Sequence, residues 1–417
     1  MQRRTFVASL AALPLAAPAL ARGAGPRVTV VGAGYGGASF IRTLRRLAPE
    51  VEITVIEQTP RFHSCPFSNG VIGGLWDGDR ISFEYDGLAS TGTRWASGAA
   101  VGFDPATREV TLEGGEVVTG DYVLLSPGIS LNFAAIDGYS PEAAEAMPHA
   151  WQAGSQTGLL RRQLVEMEDG GTVVVAIPRP PFRCPPGPYE RISLIAHYLK
   201  AAKPASKIIV LDAQDGFSKQ GLFEECWAAL YPGLIERIPG AESGEVEAVD
   251  PATMRVSTAF DDITADVANV IPPQRAGALA LDAGLDGGIG WCPVDPVSFE
   301  STLAPGVFII GDAAIMGEMP KSGFSAAQQG SACAAALAAR IAGDDPAPRK
   351  LINTCYSLAA PDWGFSVADV YAQTADGIAA IRPGGGTTPL GADADTHAAE
   401  ARYANSWFDT LTSQLWG

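Results

Sequence analysis

Paired-thiol and metal signatures are absent from this 417-residue chain. Its six cysteines form no C-x-x-C and no C-x-x-C-H, and its four histidines (His63, His149, His197, His397) are scattered, none at ligand spacing. That excludes a thioredoxin-type dithiol, a covalently held haem and a zinc site, so no metal is expected. A Ser/His/Asp hydrolase has no nucleophile elbow to rest on. Positive charge is scarce as well: 29 Lys and Arg against 46 Asp and Glu leave a net charge of −17. Such a surface argues against nucleic acid and anionic membrane, and favours a basic protein partner or a small anion guided locally. No segment is long and apolar enough to span a bilayer, and no repeat or low-complexity tract stands out.

The N-terminus reads as an export signal. Arg3-Arg4-Thr5-Phe6 is a twin-arginine start, Phe6 to Leu20 is uncharged and apolar, and Ala19-Leu20-Ala21 offers a small-residue cleavage site. Residues 1–21 are therefore expected to direct export by the twin-arginine pathway, which carries folded, cofactor-loaded proteins. A soluble periplasmic protein is the expectation, in a compartment where disulfides persist.

The chain beyond this leader is long enough for two or three domains. Arg27 to Val31 reads as a short strand, and Gly32-Ala33-Gly34-Tyr35-Gly36-Gly37 comes directly after it. A helix from about Ala38 to Leu47 and a strand from Glu52 to Ile56, ending in Glu57, complete a dinucleotide-binding unit. Gly32 makes the tight turn, Gly34 lets the backbone approach a pyrophosphate, Gly37 lets helix and strand close up, and Glu57 accepts from ribose hydroxyls. Late in the chain, Pro305 to Ile310 reads as a buried strand ending in Gly311-Asp312, whose Asp holds the ribityl or pyrophosphate region of a flavin. Val123-Leu124-Leu125-Ser126-Pro127-Gly128 supplies the middle element, and the three together mark FAD rather than NAD. The expected fold class is α/β, a disulfide-reductase-like flavoprotein with two dinucleotide-binding-type domains and a C-terminal α+β domain. The FAD domain takes 27–139 and 280–342, a second α/β domain takes 142–273, and the C-terminal domain takes 344–417, after a linker at Asp344 to Pro348.

In the second domain Val173 to Ile177 reads as a buried strand. A pyridine-nucleotide enzyme would follow it with another Gly-rich loop. Here the turn carries Pro178, Pro180, Pro181, Pro185, Pro186 and Pro188 around Cys184. Proline offers no N–H to a phosphate and fixes its own φ. The turn is therefore a poor dinucleotide cradle and a stiff mount for a thiol. A helix from Ile192 to Lys200 and a strand from Lys207 to Leu211, ending in Asp212, follow it.

Of the other cysteines, Cys65 lies in His63-Ser64-Cys65-Pro66-Phe67-Ser68-Asn69, where it can reach the dimethylbenzene edge of a flavin and form a thioether to the 8α-methyl. Cys355 opens the C-terminal domain. Cys226, Cys292 and Cys333 sit in apolar contexts that favour core packing. Spacing pairs none of them, because six cysteines allow fifteen connectivities. Lys321, in Pro320-Lys321-Ser322-Gly323-Phe324 ahead of an Ala-rich helix, is expected to face the flavin pyrimidine together with the helix N-terminus and to stabilise reduced flavin. Tyr403, Trp407, Leu411 and Leu415 form one stripe on a final helix, expected to pack onto the body.

These residues resemble the flavoprotein subunit of flavocytochrome c sulfide dehydrogenase and its monomeric relative in periplasmic sulfur oxidation. The resemblance spans nearly the whole chain: V-V-G-A-G-Y-G-G, C-P-F-S-N, P-P-F-R-C-P-P-G-P-Y-E-R, G-D-A, P-K-S-G-F-S-A, N-T-C-Y-S and a C-terminal W-F. It implies an 8α-S-cysteinyl FAD on Cys65, a redox-active disulfide between Cys184 and Cys355, Glu190 as an active-site base, and Trp407 near the flavin. The implied activity is oxidation of sulfide to sulfane sulfur, with electrons leaving through a c-type cytochrome. Three alternatives stand beside it: sulfide:quinone oxidoreductase, an NAD(P)H-dependent disulfide reductase, and a non-catalytic flavin electron carrier of sulfur metabolism.

Overall fold

Val28 to Val31, apolar but for a buried Thr29, and the continuous apolar run Val173 to Ile177 form parallel strands buried on both faces, as parallel sheets require. A computed structural model describes residues 25–375 and 377–417. The export signal read over residues 1–21 lies outside the described residues.

The first sheet has five parallel strands, in the order Val307–Ile309, Tyr122–Leu125, Arg27–Val31, Glu52–Glu57 and Arg94–Ser97. Its register pairs Val31 with both Ile56 and Leu125, and Leu125 with Ile309. Gly32, Glu57, Ser126 and Gly311 therefore emerge at one edge, the carboxyl ends where open α/β sheets bind ligands. The helix Tyr35–Leu47 starts right after Gly34, earlier than the sequence suggests, because the glycines that follow are small enough to serve as its first turn.

The second sheet, also parallel, runs Ile235–Ile238, Lys207–Asp212, Thr172–Ile177 and Val267–Val270. Its helix Gly187–Ala202 likewise begins five residues earlier than expected. Pro188 is the reason. A proline in the first turn loses no helical hydrogen bond and has the right φ.

Two long antiparallel strands, Lys350–Ala360 and Trp363–Thr374, lead the C-terminal sheet. The helix Ala394–Trp416 follows, capped by the Asp393 carboxylate, which accepts from the Thr396 N–H. Leu411, Leu415 and Trp416 join the core of the first sheet, whereas Ala359 and Phe365 join that of the second. The C-terminal unit thus ties both sheets together. Tyr403 departs from the expected stripe: it is 58% exposed, while Leu411 and Leu415 are buried.

Candidate active site

A cavity of about 680 Å³ runs from the glycine loop of the first sheet to the proline-rich turn of the second. Gly32, Gly34, Gly36 and Glu57 line it, as do Gly311 and Asp312; Cys65, Cys184, Glu190, Cys355 and Trp407 line it too. All these positions except Gly36 were singled out from sequence. Gly37 stands behind the loop, where an added Cβ would lie 1.9 Å from the Gly32 carbonyl oxygen. Gly32 itself holds φ +89, and a Cβ there would lie 2.5 Å from the Ser126 carbonyl oxygen. One glycine permits the turn and the other the close packing.

Cys184 sits in the left-handed region at φ +54, uncommon for a residue with a side chain. Its N–H donates to the Lys321 carbonyl (2.7 Å), and its own carbonyl accepts from Gly187 (2.8 Å), so both sides of the strained residue are fixed. Cys355 comes from the middle of Lys350–Ala360, paired with Val367. The two thiols, both free, line the same cavity as neighbours that act on one another. Their surroundings differ. The neighbouring Cys184 thiol, and then the Lys219 ammonium 4.0 Å away, hold Cys355 below the usual thiol range. The neighbouring Cys355 thiol, burial and the Glu190 carboxyl push Cys184 up.

Glu190, in the first turn of its helix, is enclosed: one carboxylate oxygen accepts from the Leu358 N–H (2.9 Å), the other from the Asn69 amide (2.7 Å). Burial outweighs these bonds and raises its pKa. Beside it Arg191, fully buried, donates to Asn69 Oδ1 and Asn269 Oδ1 (3.0 Å each) and to the carbonyls of His149 (3.0 Å) and Ala150 (2.5 Å). A buried cation persists only with its donors satisfied, and here it stitches three segments behind the dithiol. Arg183 extends from the proline-rich turn to Cys65 Sγ (3.0 Å), and lies 3.9 Å from Asp312 Oδ2.

Lys321 does not face the cavity as expected. Its ammonium turns back to donate to the carbonyls of Asp312 (2.7 Å) and Ala314 (2.9 Å), and lies 3.9 Å from the Trp291 ring centroid. Carbonyl ligands at that distance outcompete a site in the cleft. Its backbone carbonyl holds Cys184, and its charge acts on the buried Asp312 carboxyl. Ser322, the cap of the following helix, and Phe324 line the cleft instead.

The C-terminal helix closes over the glycine loop. The Trp416 indole N–H donates to the Ala33 carbonyl (3.1 Å), its ring stacks on Phe62 with centroids 4.4 Å apart, and Arg42 holds the carbonyl oxygens of Leu415 (2.9 Å) and Gly417 (2.6 Å).

Against known proteins, residues 157–272 match the central region of the flavoprotein chain of sulfide dehydrogenase [flavocytochrome c], and residues 347–416 match the flavin-binding region of flavocytochrome c sulphide dehydrogenase. Residues 26–175 match pyridine nucleotide-disulphide oxidoreductase. The sulfide dehydrogenase [flavocytochrome c] flavoprotein chain of Chlorobaculum thiosulfatiphilum is 51% identical over 45 residues, which are 11% of this chain and 94% of that sequence. The chain belongs to the flavocytochrome c sulfide dehydrogenase flavoprotein family. It is accordingly a sulfide-oxidising flavoprotein oxidoreductase that binds FAD. Mitochondrial sulfide:quinone oxidoreductase of Mus musculus is 21% identical over 316 residues, covering 73% of this chain and 69% of that one. Among solved structures, sulfide:quinone oxidoreductase of Aquifex aeolicus superposes with TM-score 0.69 at 18% identity, over 94% of this chain and 92% of that one. Putidaredoxin reductase in its covalent complex with putidaredoxin superposes at TM-score 0.67 and 16% identity, over 94% of each chain. Both share the disulfide-reductase fold.

The cavity suits the flavin of this family. Asp312 Oδ1 and the Trp407 indole nitrogen are buried with no hydrogen-bond partner among the described residues, and both residues line the cleft. Buried polar atoms of native proteins are normally satisfied, so these two call for a polar ligand. The glycine loop and the N-terminus of Tyr35–Leu47 would hold the pyrophosphate, Glu57 the ribose and Asp312 the ribityl region. Glu57 meanwhile accepts from the Ala33 N–H (3.0 Å) and from Thr59 (3.0 Å), which fixes the carboxylate beside the loop. Lys219, Arg183, Asn69 and the Arg191 network were not foreseen. Asn69, Arg183 and Arg191 lie inside the family motifs, but their partners are distant in the chain and cannot be read from those motifs; Lys219 has no motif around it.

Proposed function

We propose that this flavoprotein oxidises hydrosulfide to sulfane sulfur through a disulfide between Cys184 and Cys355, and passes the electrons to a c-type cytochrome. The observation carrying this reading is the contact of these two thiols at the cavity, one from a strained, proline-stiffened turn and one from the C-terminal sheet. With the pair oxidised, hydrosulfide attacks one sulfur. A new S–S bond forms, the Cys–Cys bond breaks, and its electron pair leaves on the other cysteine as thiolate. The incoming sulfur rises from sulfide to sulfane level, the pair takes up its two electrons, and the proton stays on the persulfide. Bound FAD supplies a two-electron acceptor that can release electrons singly. Glu190, its pKa raised by burial, is suited to take up or give a proton beside the sulfurs.

Cys65 lines the same cavity with the Arg183 guanidinium on its sulfur, which supports a thioether to the flavin there. The leader at residues 1–21 supports twin-arginine export to the periplasm. A cytochrome is favoured over membrane quinone because the apolar face of Ala394–Trp416 is spent on the protein's own core. In addition, no helix among the described residues is long and apolar enough to cross a membrane.

The test measures sulfide-dependent reduction of a c-type cytochrome and, in parallel, of decylquinone. Wild type should reduce the cytochrome, and Cys184→Ser and Cys355→Ser should each lose at least about 100-fold in turnover. Unchanged turnover in either variant refutes the disulfide role, and quinone reduction without cytochrome reduction refutes the acceptor. A denaturing intact mass that lacks a flavin adduct on the Cys65 peptide refutes the covalent link.

A further inference from the structure

The two sulfurs have unequal neighbours, and the inequality has one source outside the pair. Lys219 reaches over from the second α/β unit. It precedes the helix Gln220–Leu230 and holds φ +62, a left-handed conformation that aims its side chain at the C-terminal sheet. There the ammonium donates to the Cys355 carbonyl (3.0 Å) and the Ser357 hydroxyl (2.8 Å), lies 4.0 Å from Cys355 Sγ, and sits 5.4 Å from the Phe365 ring centroid. A surface lysine loses most of its influence by swinging in water, but this one is fastened at two acceptors. The other charged groups near the pair are Glu190, which disfavours an anion on either sulfur, and the buried Arg191, whose charge also acts on Cys184 while its N–H groups are held by four neutral acceptors. Lys219 makes its contacts on the Cys355 strand, at the carbonyl of Cys355 and the hydroxyl of Ser357.

We propose that Lys219 is the positioning residue that gives the disulfide its polarity, holding Cys355 as the sulfur that departs as thiolate, so that hydrosulfide attacks Cys184. This rests on the disulfide reading above. In thiol–disulfide exchange, the sulfur whose thiol has the lower pKa leaves faster, and a cation at 4.0 Å stabilises that departing charge. In the step, the hydrosulfide sulfur bonds to Cys184 Sγ and the Sγ–Sγ bond breaks. The bonding pair settles on Cys355 beside the ammonium, and the proton of the hydrosulfide remains on the terminal sulfur of a Cys184 persulfide. Sulfide is oxidised to the sulfane level and the disulfide is reduced. Cys184 is then the sulfur that stores the product, at the mouth of its strained turn, and Cys355 is the one that carries the electrons onward.

The experiment uses the full-length holoprotein as wild type, Lys219→Met and Lys219→Arg. Resting enzyme is first peptide-mapped without reduction. Reduced enzyme is then alkylated with limiting iodoacetamide across a pH series, and oxidised enzyme is given one equivalent of sulfide and quenched by alkylation. Wild type should label Cys355 before Cys184 with a preference of at least about tenfold, and should carry the added sulfur on the Cys184 peptide. Lys219→Met should move the half-point of Cys355 labelling up by about one pH unit or more and spread the added sulfur over both peptides, while Lys219→Arg should keep the wild-type pattern. Added sulfur on Cys355 in wild type overturns the proposal, even if the methionine variant fails to fold. A labelling profile unmoved in Lys219→Met overturns it as well. A resting wild-type enzyme without a Cys184–Cys355 link overturns the disulfide reading and this proposal with it, whereas a linked pair insensitive to Lys219 overturns this proposal alone.

Discussion

After Arg27–Val31 the chain turns through glycines that line the cavity; after Thr172–Ile177 it turns through prolines, and aromatic side chains pack beside the turn. In the second unit Tyr189 stacks on Phe217 with centroids 3.6 Å apart, and its hydroxyl donates to the buried Asp212 carboxylate (2.8 Å). Arg237 donates to the same carboxylate (2.8 Å) and lies over the Phe217 ring. Asp212 ends its strand as Glu57 ends the matching strand of the first sheet, yet its partners are internal side chains. One scaffold thus serves two ends. Backbone N–H groups and missing Cβ atoms make a nucleotide cradle of the first turn, while their loss turns the second into a rigid holder for sulfur.

The strongest way to break this contrast is at Gly37. A Cβ placed 1.9 Å from the Gly32 carbonyl meets backbone that cannot yield. Gly37→Ala should cost more than about 3 kcal/mol and yield protein without flavin, read by absorbance and thermal unfolding. Gly216→Ala in the second unit, whose Cβ would meet only the Gln220 side chain at 3.6 Å, should keep its flavin.

Next in size, Tyr189→Ala unplugs the second crevice. It should lose about 3 kcal/mol of stability, and NADH should still leave the flavin oxidised, because prolines present no N–H to a pyrophosphate. Bleaching by NADH would show that the plug, and not the turn, excludes the coenzyme.

A smaller effect lies at His149, whose ring nitrogen accepts from the Trp151 N–H (2.9 Å) and whose pKa is lowered to about 4 by burial and then by Arg191 and Arg183. The folded form therefore binds fewer protons than the unfolded chain. The stability it contributes is complete above pH 6.5 and is lost as pH falls toward 4, by about 2 kcal/mol at pH 5. Denaturant titrations of wild type and His149→Asn at pH 7.5 and pH 5 should diverge by about that amount. Least of all, Glu245→Gln removes the exposed pairing with Arg179 at the mouth of the proline turn and should change stability by less than about 1 kcal/mol.

Local features were legible in the sequence and distant ones were not. Gly32, Gly34, Gly37 and Glu57 are set by one β-turn-α-β unit, so their spacing carries their roles. Asp312 ends a strand and is read the same way. Cys184 and Cys355 lie in different units, and nothing in their spacing joins them; a family resemblance paired them, and chain topology brings them into contact. Lys321 misled because nearness in sequence to Asp312 says nothing about where a long side chain points, and two carbonyls claim it. Lys219 left no signal at all, since its importance exists only once the strand bearing Cys355 is laid beside it.

If the second unit trades a coenzyme for a disulfide, non-reducing peptide mapping of the resting, turnover-competent enzyme will reveal the bond. The Cys184 and Cys355 peptides should be recovered linked in most molecules and separate after one equivalent of sulfide. Recovery of both as free, alkylatable thiols from enzyme that still oxidises sulfide would contradict the account.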